Sequence, residues 1–136
     1  MDTQLTKAKT NNDQNFLKTI RLINIENDAC DFEIGKIPVG QHVKSTYFFA
    51  QTEVNTNENI AHPAPRRQFV ITIKGKLRFA VTSGKTFILE PGIILIAADT
   101  EGAGHTWEIL DGEEWERIYI PIASDANDYF IKDINS

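Results

Sequence analysis

The sequence has little cysteine, no excess of positive charge and no long apolar run. Its 136 residues include one cysteine, so no internal disulfide can form. Asp and Glu outnumber Lys and Arg by 19 to 14, and the net charge of −5 argues against non-specific attraction to nucleic acid. The longest apolar stretch, around residues 93–98, is too short to cross a bilayer, and the polar N-terminus does not resemble a signal peptide. These absences predict a cytoplasmic protein with neither nucleic acid nor membrane as a partner.

What the chain does contain is a series of strand-length apolar runs. From residue 16 onwards they are rich in Ile, Val, Thr and aromatics, and turn signals such as Lys74-Gly75 and Pro91-Gly92 separate them. None keeps a helical period over three turns, so the sequence predicts an all-β fold. In a chain of this length the strands must close a barrel or stack as a sandwich to protect their edges, and we favour a jelly roll. Residues 1–15 carry few large apolar side chains and are predicted to form a flexible arm before a single domain over 16–136.

Two segments carry side chains suited to chemistry. His62 opens the segment His-Pro-Ala-Pro-Arg-Arg-Gln, which ends at Gln68 and leads into a strand, and His105 closes a glycine-rich loop and begins another strand. Two strand ends can therefore aim imidazole and amide groups into one cavity. Arg66 has the same parity as His62 and Gln68, which predicts an inward guanidinium able to bind a carboxylate or phosphate. The alternative for Arg66 is an ion pair with an acid of the loop, such as Glu101.

These segments resemble the motifs of the cupin superfamily, over residues 62–121. In the first motif Gln68 stands in place of the usual Glu, and Ala64 in place of the second His. The second motif resembles its cupin counterpart in a Pro-Gly turn followed by a later His. The matching positions are His62, Gly75, Pro91, Gly92 and His105. More narrowly, the two segments are similar to those of short, single-domain bacterial cupins. The resemblance implies a cupin-type jelly-roll β-barrel with its core motif region at residues 60–122.

The resemblance also implies a metal site. Cupins hold Fe, Mn, Ni, Zn or Cu on three His and one Glu, so the implied ligands here are His62, His105 and Gln68. A neutral amide in place of the carboxylate makes this set weak, and a metal-free pocket is the alternative. In that case both histidines would serve as hydrogen-bonding groups of the pocket wall.

The leading hypothesis is a small-molecule-binding cupin whose pocket lies inside the barrel. Strand alternation puts two aromatics on one face beside the motif residues, so the predicted pocket residues are His62, Arg66, Gln68, His105, Tyr47 and Phe49. Arginine and histidine favour an anionic ligand. Two alternatives stay open, a divalent-metal-dependent enzyme of the dioxygenase or isomerase type and a noncatalytic ligand sensor or assembly protein. No catalytic residue is identifiable. Apolar residues around 16–25, preceded by the arm, predict a symmetric homodimer.

Overall fold

The computed structural model describes residues 15–54 and 60–134. They form a 3-10 turn at Glu26–Asp28 and strands whose bounds are β1 Phe16–Asn24, β2 Cys30–Pro38, β3 Phe49–Gln51, β4 Gln68–Ala80, β5 Thr86–Leu89, β6 Ile94–Ala97, β7 Thr106–Pro121 and β8 Ile131–Lys132. The prediction of an all-β fold is confirmed. Residues 1–14 of the predicted N-terminal arm lie outside the described residues, and the arm's last residue, Asn15, is described. Over the two described ranges no helix is long and apolar enough to span a membrane.

The strands form one mixed sheet. Its order is β3-β7-β4-β6-β1-β2-β8, and β5 pairs with the distal part of β4. The pair β1 and β6 is parallel, and the other neighbours are antiparallel. No pairing among the described strands joins β3 to β8, so the hydrogen-bonded path is open. The structure thus confirms the β class without showing a closed jelly-roll barrel.

The two longest strands, β4 and β7, are paired along most of their length. They span 13 and 16 residues, and their register shifts between Thr72 and Leu77. Such a bulge adds a residue on one strand and changes which parity faces inward. Before it, Val70 and Thr72 are buried, and after it the buried residues are Leu77 and Phe79. The bulge therefore brings Phe79 to the same interior as Val70.

Two hydrophobic clusters pack on the strands. The larger contains Leu22, Leu77, Phe79, Leu89 and Leu95, all nearly inaccessible to solvent. The smaller is built on Phe69, Ile96 and Ile122 and lies beneath the C-terminal segment. Because neighbouring residues of a strand point to opposite faces, consecutive residues of β6 serve the two clusters in turn. The candidate functional site lies on the side of the larger cluster.

Candidate functional site

A cavity of about 640 Å³ opens on the side of the larger cluster. Strands β4, β6 and β7 supply its inner wall, and residues from 47–49 and 62–66 surround its entrance. This volume lies within the range of sites that enclose a small organic molecule. The lining side chains belong to Tyr47, Phe48, Phe49, His62, Ala64, Pro65, Arg66, Gln68, Val70, Phe79, Leu95, Ala97, His105, Trp107, Trp115, Tyr119 and Pro121.

The structure brings all of the predicted pocket residues to this one cavity. Gln68 and His105 are buried and lie in its inner wall. Tyr47, Phe49, His62 and Arg66 are exposed and lie around the entrance. That these residues bind a ligand stays a prediction.

His62 and His105 are held side by side through their backbones. Each backbone N–H donates to the other residue's carbonyl oxygen at 3.1 Å, and the two ring centroids lie 5.4 Å apart. Gly104 makes this approach feasible, because a Cβ at that position would collide with the His62 backbone. Its φ of +79° also favours glycine. The glycine-rich loop thus serves to join the two motif histidines.

The same loop is anchored on its other side. The carbonyl of Asp99 accepts the N–H of Ala64 at 3.0 Å. The Asn24 amide bonds to both backbone groups of Glu101, each at 2.9 Å.

The alternative ion pair of Arg66 with Glu101 does not form, and no other residue within 15–54 and 60–134 pairs with the Arg66 guanidinium. Arg66 therefore reaches the cavity entrance without an acidic partner from the described chain.

Behind the inner wall, the ring of His105 contacts a buried acid. Its Nδ1 lies 2.5 Å from Oδ2 of Asp99, which also accepts the thiol of Cys30 at 3.3 Å. All three residues are buried, and Oδ1 of Asp99 has no hydrogen-bond partner among the described residues. Burial raises the pKa of the Cys30 thiol, and the adjacent Asp99 raises it further through its charge and its hydrogen bond. Cys30, Asp99 and His105 together could hold a metal ion.

The metal site that the cupin resemblance implies would lie on the cavity side of His105. The donors there are His62, whose Nδ1 lies 3.3 Å from the carbonyl oxygen of Pro63, and the neutral amide of Gln68. The buried methyl group of Ala64 offers no ligand atom, and none of the described lining residues is acidic. These residues do not fit a two-histidine, one-carboxylate centre, because they lack the charged ligand. A metal ion bound by His62, His105 and Gln68 stays a prediction.

The pocket residues predicted from the sequence do not include the aromatic part of the inner wall. Trp107 and Trp115 pack edge to face with ring centroids 4.9 Å apart, and Phe79 contacts both rings. The indole N–H of Trp115 donates to Oγ1 of Thr72 at 3.1 Å, which fixes the ring. Alternation along β7 is the sequence signal that indicates these rings. Trp107 and Trp115 are odd-numbered like His105, and residues of one parity point to the same face of a strand.

The entrance is attached to the sheet through Arg117, which is also absent from the predicted site. This buried guanidinium donates to the carbonyls of Glu53 and Trp115, both at 2.8 Å, and to the Tyr119 hydroxyl at 3.0 Å. It thereby ties the segment that follows β3 to the wall of the cavity. Arg117 is a buried charge that donates to two backbone carbonyls and a hydroxyl, contacts that sequence spacing does not indicate.

Comparison of the chain with protein-family models, with curated proteins and with solved structures finds no match. Membership of the cupin superfamily therefore stays a prediction.

Proposed function

We propose that this protein binds a small organic anion in its cavity, within a domain of the cupin jelly-roll type. The ligand has a ring that packs on the aromatic inner wall and a carboxylate that Arg66 binds at the entrance. The observation that carries this proposal is the combination of an aromatic cavity of about 640 Å³ with an arginine at its entrance that pairs with no acid of the described chain.

The inner wall favours a flat, apolar ligand body. Phe79, Trp107 and Trp115 present ring surfaces that are already in contact with one another, and aliphatic groups of Val70 and Leu95 complete the wall. A ring placed against such surfaces gains about 0.5 to 1.5 kcal/mol per aromatic contact beyond its area burial. The rings need no reorganisation before binding, because their own packing holds them.

The polar groups favour an anion at the entrance. Arg66 offers a planar pair of N–H donors, a geometry that matches a carboxylate, and His62 lies beside the same opening. None of the described lining residues carries a negative charge that would repel the ligand. A carboxylic acid is therefore preferred to an amine of the same size.

His105 adds a hydrogen-bond acceptor to the inner wall. Because Asp99 accepts from Nδ1, a neutral His105 ring carries its hydrogen on that nitrogen and leaves Nε2 as an acceptor. A hydroxyl group on the ligand ring can donate to it. We therefore expect an aromatic hydroxy acid to bind more tightly than the same acid without its hydroxyl.

Intrinsic fluorescence offers a direct test, because both tryptophans of the chain line the cavity. We would titrate the protein with 4-hydroxybenzoate, benzoate, phenol and benzylamine. The expected order of affinity is the order in which they are named. Arg66→Lys should weaken benzoate binding about tenfold, because lysine cannot present two parallel donors.

Arg78→Lys is the matched control. Arg78 pairs with Glu108 at 3.2 Å, lies outside the cavity lining and should leave benzoate affinity unchanged. Benzylamine binding as tightly as benzoate would contradict the proposal. So would an equal loss of affinity in the two lysine variants. The predicted homodimer and cytoplasmic location are separate from this test and stay predictions.

A further inference from the structure

Three side chains with ligand atoms meet behind the inner wall of the cavity. Cys30 begins β2, Asp99 lies in the loop after β6, and His105 immediately precedes β7. Their ligand atoms all lie within 4.8 Å of one another. We propose that these residues bind a divalent transition-metal ion, and that Zn²⁺ is the ion their sulfur, nitrogen and oxygen donors favour. This site lies on the Asp99 side of the His105 ring, whereas the cupin resemblance implies a site on the cavity side.

Asp99 supplies the main reason to expect a cation here. Its side chain is 0% exposed, and both the Cys30 thiol and His105 Nδ1 bond to one of its oxygens, Oδ2. The second oxygen, Oδ1, is buried without a hydrogen-bond partner in the described part of the chain. A buried carboxylate oxygen without a partner is unfavourable, and a bound cation would satisfy it.

One of the two donor separations at Oδ2 of Asp99 already matches a tetrahedral site, and the other must change. Ligand atoms at about 2.0 to 2.3 Å from Zn²⁺ lie about 3.3 to 3.6 Å from one another. Sγ of Cys30 is already 3.3 Å from Oδ2 of Asp99. The 2.5 Å separation between His105 Nδ1 and that oxygen must widen by about 1 Å. A rotation of the Asp99 side chain would achieve this and would direct its second oxygen at the ion.

The charges balance when the ion binds. A sulfur–metal bond forms as the Cys30 thiol releases its proton to the buffer, leaving a thiolate beside the Asp99 carboxylate. His105 stays neutral, because Nδ1 gives up its hydrogen to become a ligand while Nε2 takes one. In the ion-bound protein Nε2 therefore donates to a ligand hydroxyl, and it accepts from that hydroxyl only in the ion-free protein. Two negative ligands and a divalent cation have no net charge, as a site in the protein interior requires. One proton is released for each ion bound.

Cobalt is a suitable probe, because its bond to a thiolate gives a charge-transfer absorption band. The chain has a single cysteine, so such a band can come only from Cys30. We would strip the full-length protein with a chelator, desalt it and titrate it with Co²⁺. The expected result is one ion per chain, the charge-transfer band and its loss when Zn²⁺ displaces the cobalt. Calorimetry in buffers of different ionisation enthalpy should show one proton released per ion.

Variants then locate the ion. Cys30→Ser should abolish the band. Both Cys30→Ser and Asp99→Asn should weaken Zn²⁺ binding by about 100-fold or more, because each alters a ligand and changes to residues that merely orient ligands already cost up to about 100-fold. His62→Gln is the control, because His62 lies outside the proposed ligand set, and it should keep both the band and the affinity. Circular dichroism checks that each variant folds.

The wild-type titration is decisive even where a variant does not fold. Saturable cobalt binding without a thiolate band would overturn the proposal, as would the absence of saturable binding. Loss of the ion in His62→Gln, with normal binding in Cys30→Ser, would place the ion on the cavity side and would also overturn it. Failure of Co²⁺ to bind, or binding without a thiolate band, would leave carboxylate binding at Arg66 untouched, so the two proposals can fail separately.

Discussion

Aromatic side chains line both the inner wall and the entrance of the cavity, but their burial differs. On the inner wall Phe79 and Trp115 are 1% and 2% exposed, whereas Tyr47 and Phe48 at the entrance are 52% and 65% exposed. The rings of the wall contribute to the folded core, since they pack on one another and on aliphatic neighbours. Among the described residues no ring contact involves Tyr47 or Phe48, although Phe49 beside them stacks on Tyr119 with ring centroids 6.3 Å apart. The comparison suggests a site with a rigid interior and an adaptable entrance.

Polar groups show the same contrast. On the inner wall, Trp115 donates to Thr72, and His105 contacts Asp99. At the entrance, Arg66 pairs with no acid of the described ranges. Substitutions in the wall should therefore change stability as well as binding. Substitutions at the entrance should change binding alone.

The largest effect on stability is expected at Gly104, where the loop meets His62. In Gly104→Ala the new Cβ collides with the His62 backbone at a φ that alanine rarely adopts. We expect the free energy of unfolding to fall by about 3 kcal/mol or more, since the overlap with backbone cannot relax cheaply. Urea denaturation followed by circular dichroism measures it.

Gly112→Ala is the matched control, because Gly112 has a φ of +83° and a Cβ there would meet nothing within 4 Å. It should lower the free energy of unfolding by about 1 to 2 kcal/mol, the cost of placing alanine in a left-handed backbone conformation. Equal losses in the two variants would mean that the loop and His62 can separate freely, and the inner wall would then be less rigid than inferred.

A larger side chain at Val70 should reduce both binding and stability, as expected for the inner wall. Val70 lines the cavity but is only 2% exposed, so the added volume of Val70→Phe meets packed neighbours as well as the cavity. We expect benzoate affinity to fall by about 100-fold, or about 2.7 kcal/mol, and the free energy of unfolding to fall by about 1 to 3 kcal/mol. Tryptophan fluorescence and urea denaturation measure the two quantities. Val70→Ile, which adds one methylene group, should have a smaller effect on binding.

If Val70→Phe instead binds benzoate as the wild type does, the ligand does not reach the inner wall. Binding would then depend on the entrance alone, and the proposed division between wall and entrance would be wrong.

Strand alternation predicted part of this arrangement and missed the rest for identifiable reasons. It placed Gln68 and His105 beside one cavity, because both lie near strand ends in recognisable segments. It could not find the contact of Cys30 with Asp99, which are 69 residues apart and meet only through tertiary folding. The bulge after Thr72 also reverses the inward parity, so no constant period along β4 would have placed Phe79 on the wall.

The smallest effect on stability is expected at Phe48, and it tests the entrance. Phe48→Ala removes a ring that is 65% exposed, so the free energy of unfolding should change by less than about 0.5 kcal/mol. Benzoate affinity should nevertheless fall about three- to tenfold, because the ring lines the cavity and would lie over a ligand bound there. Ile60→Ala is the control, since Ile60 is 61% exposed but outside the cavity lining, and it should change neither quantity.

A loss of stability in Phe48→Ala comparable to that of a core truncation, about 3 kcal/mol, would show that the entrance is packed and not adaptable. Unchanged benzoate affinity would show that the ligand lies deeper than this ring and is held by the inner wall and Arg66 without it.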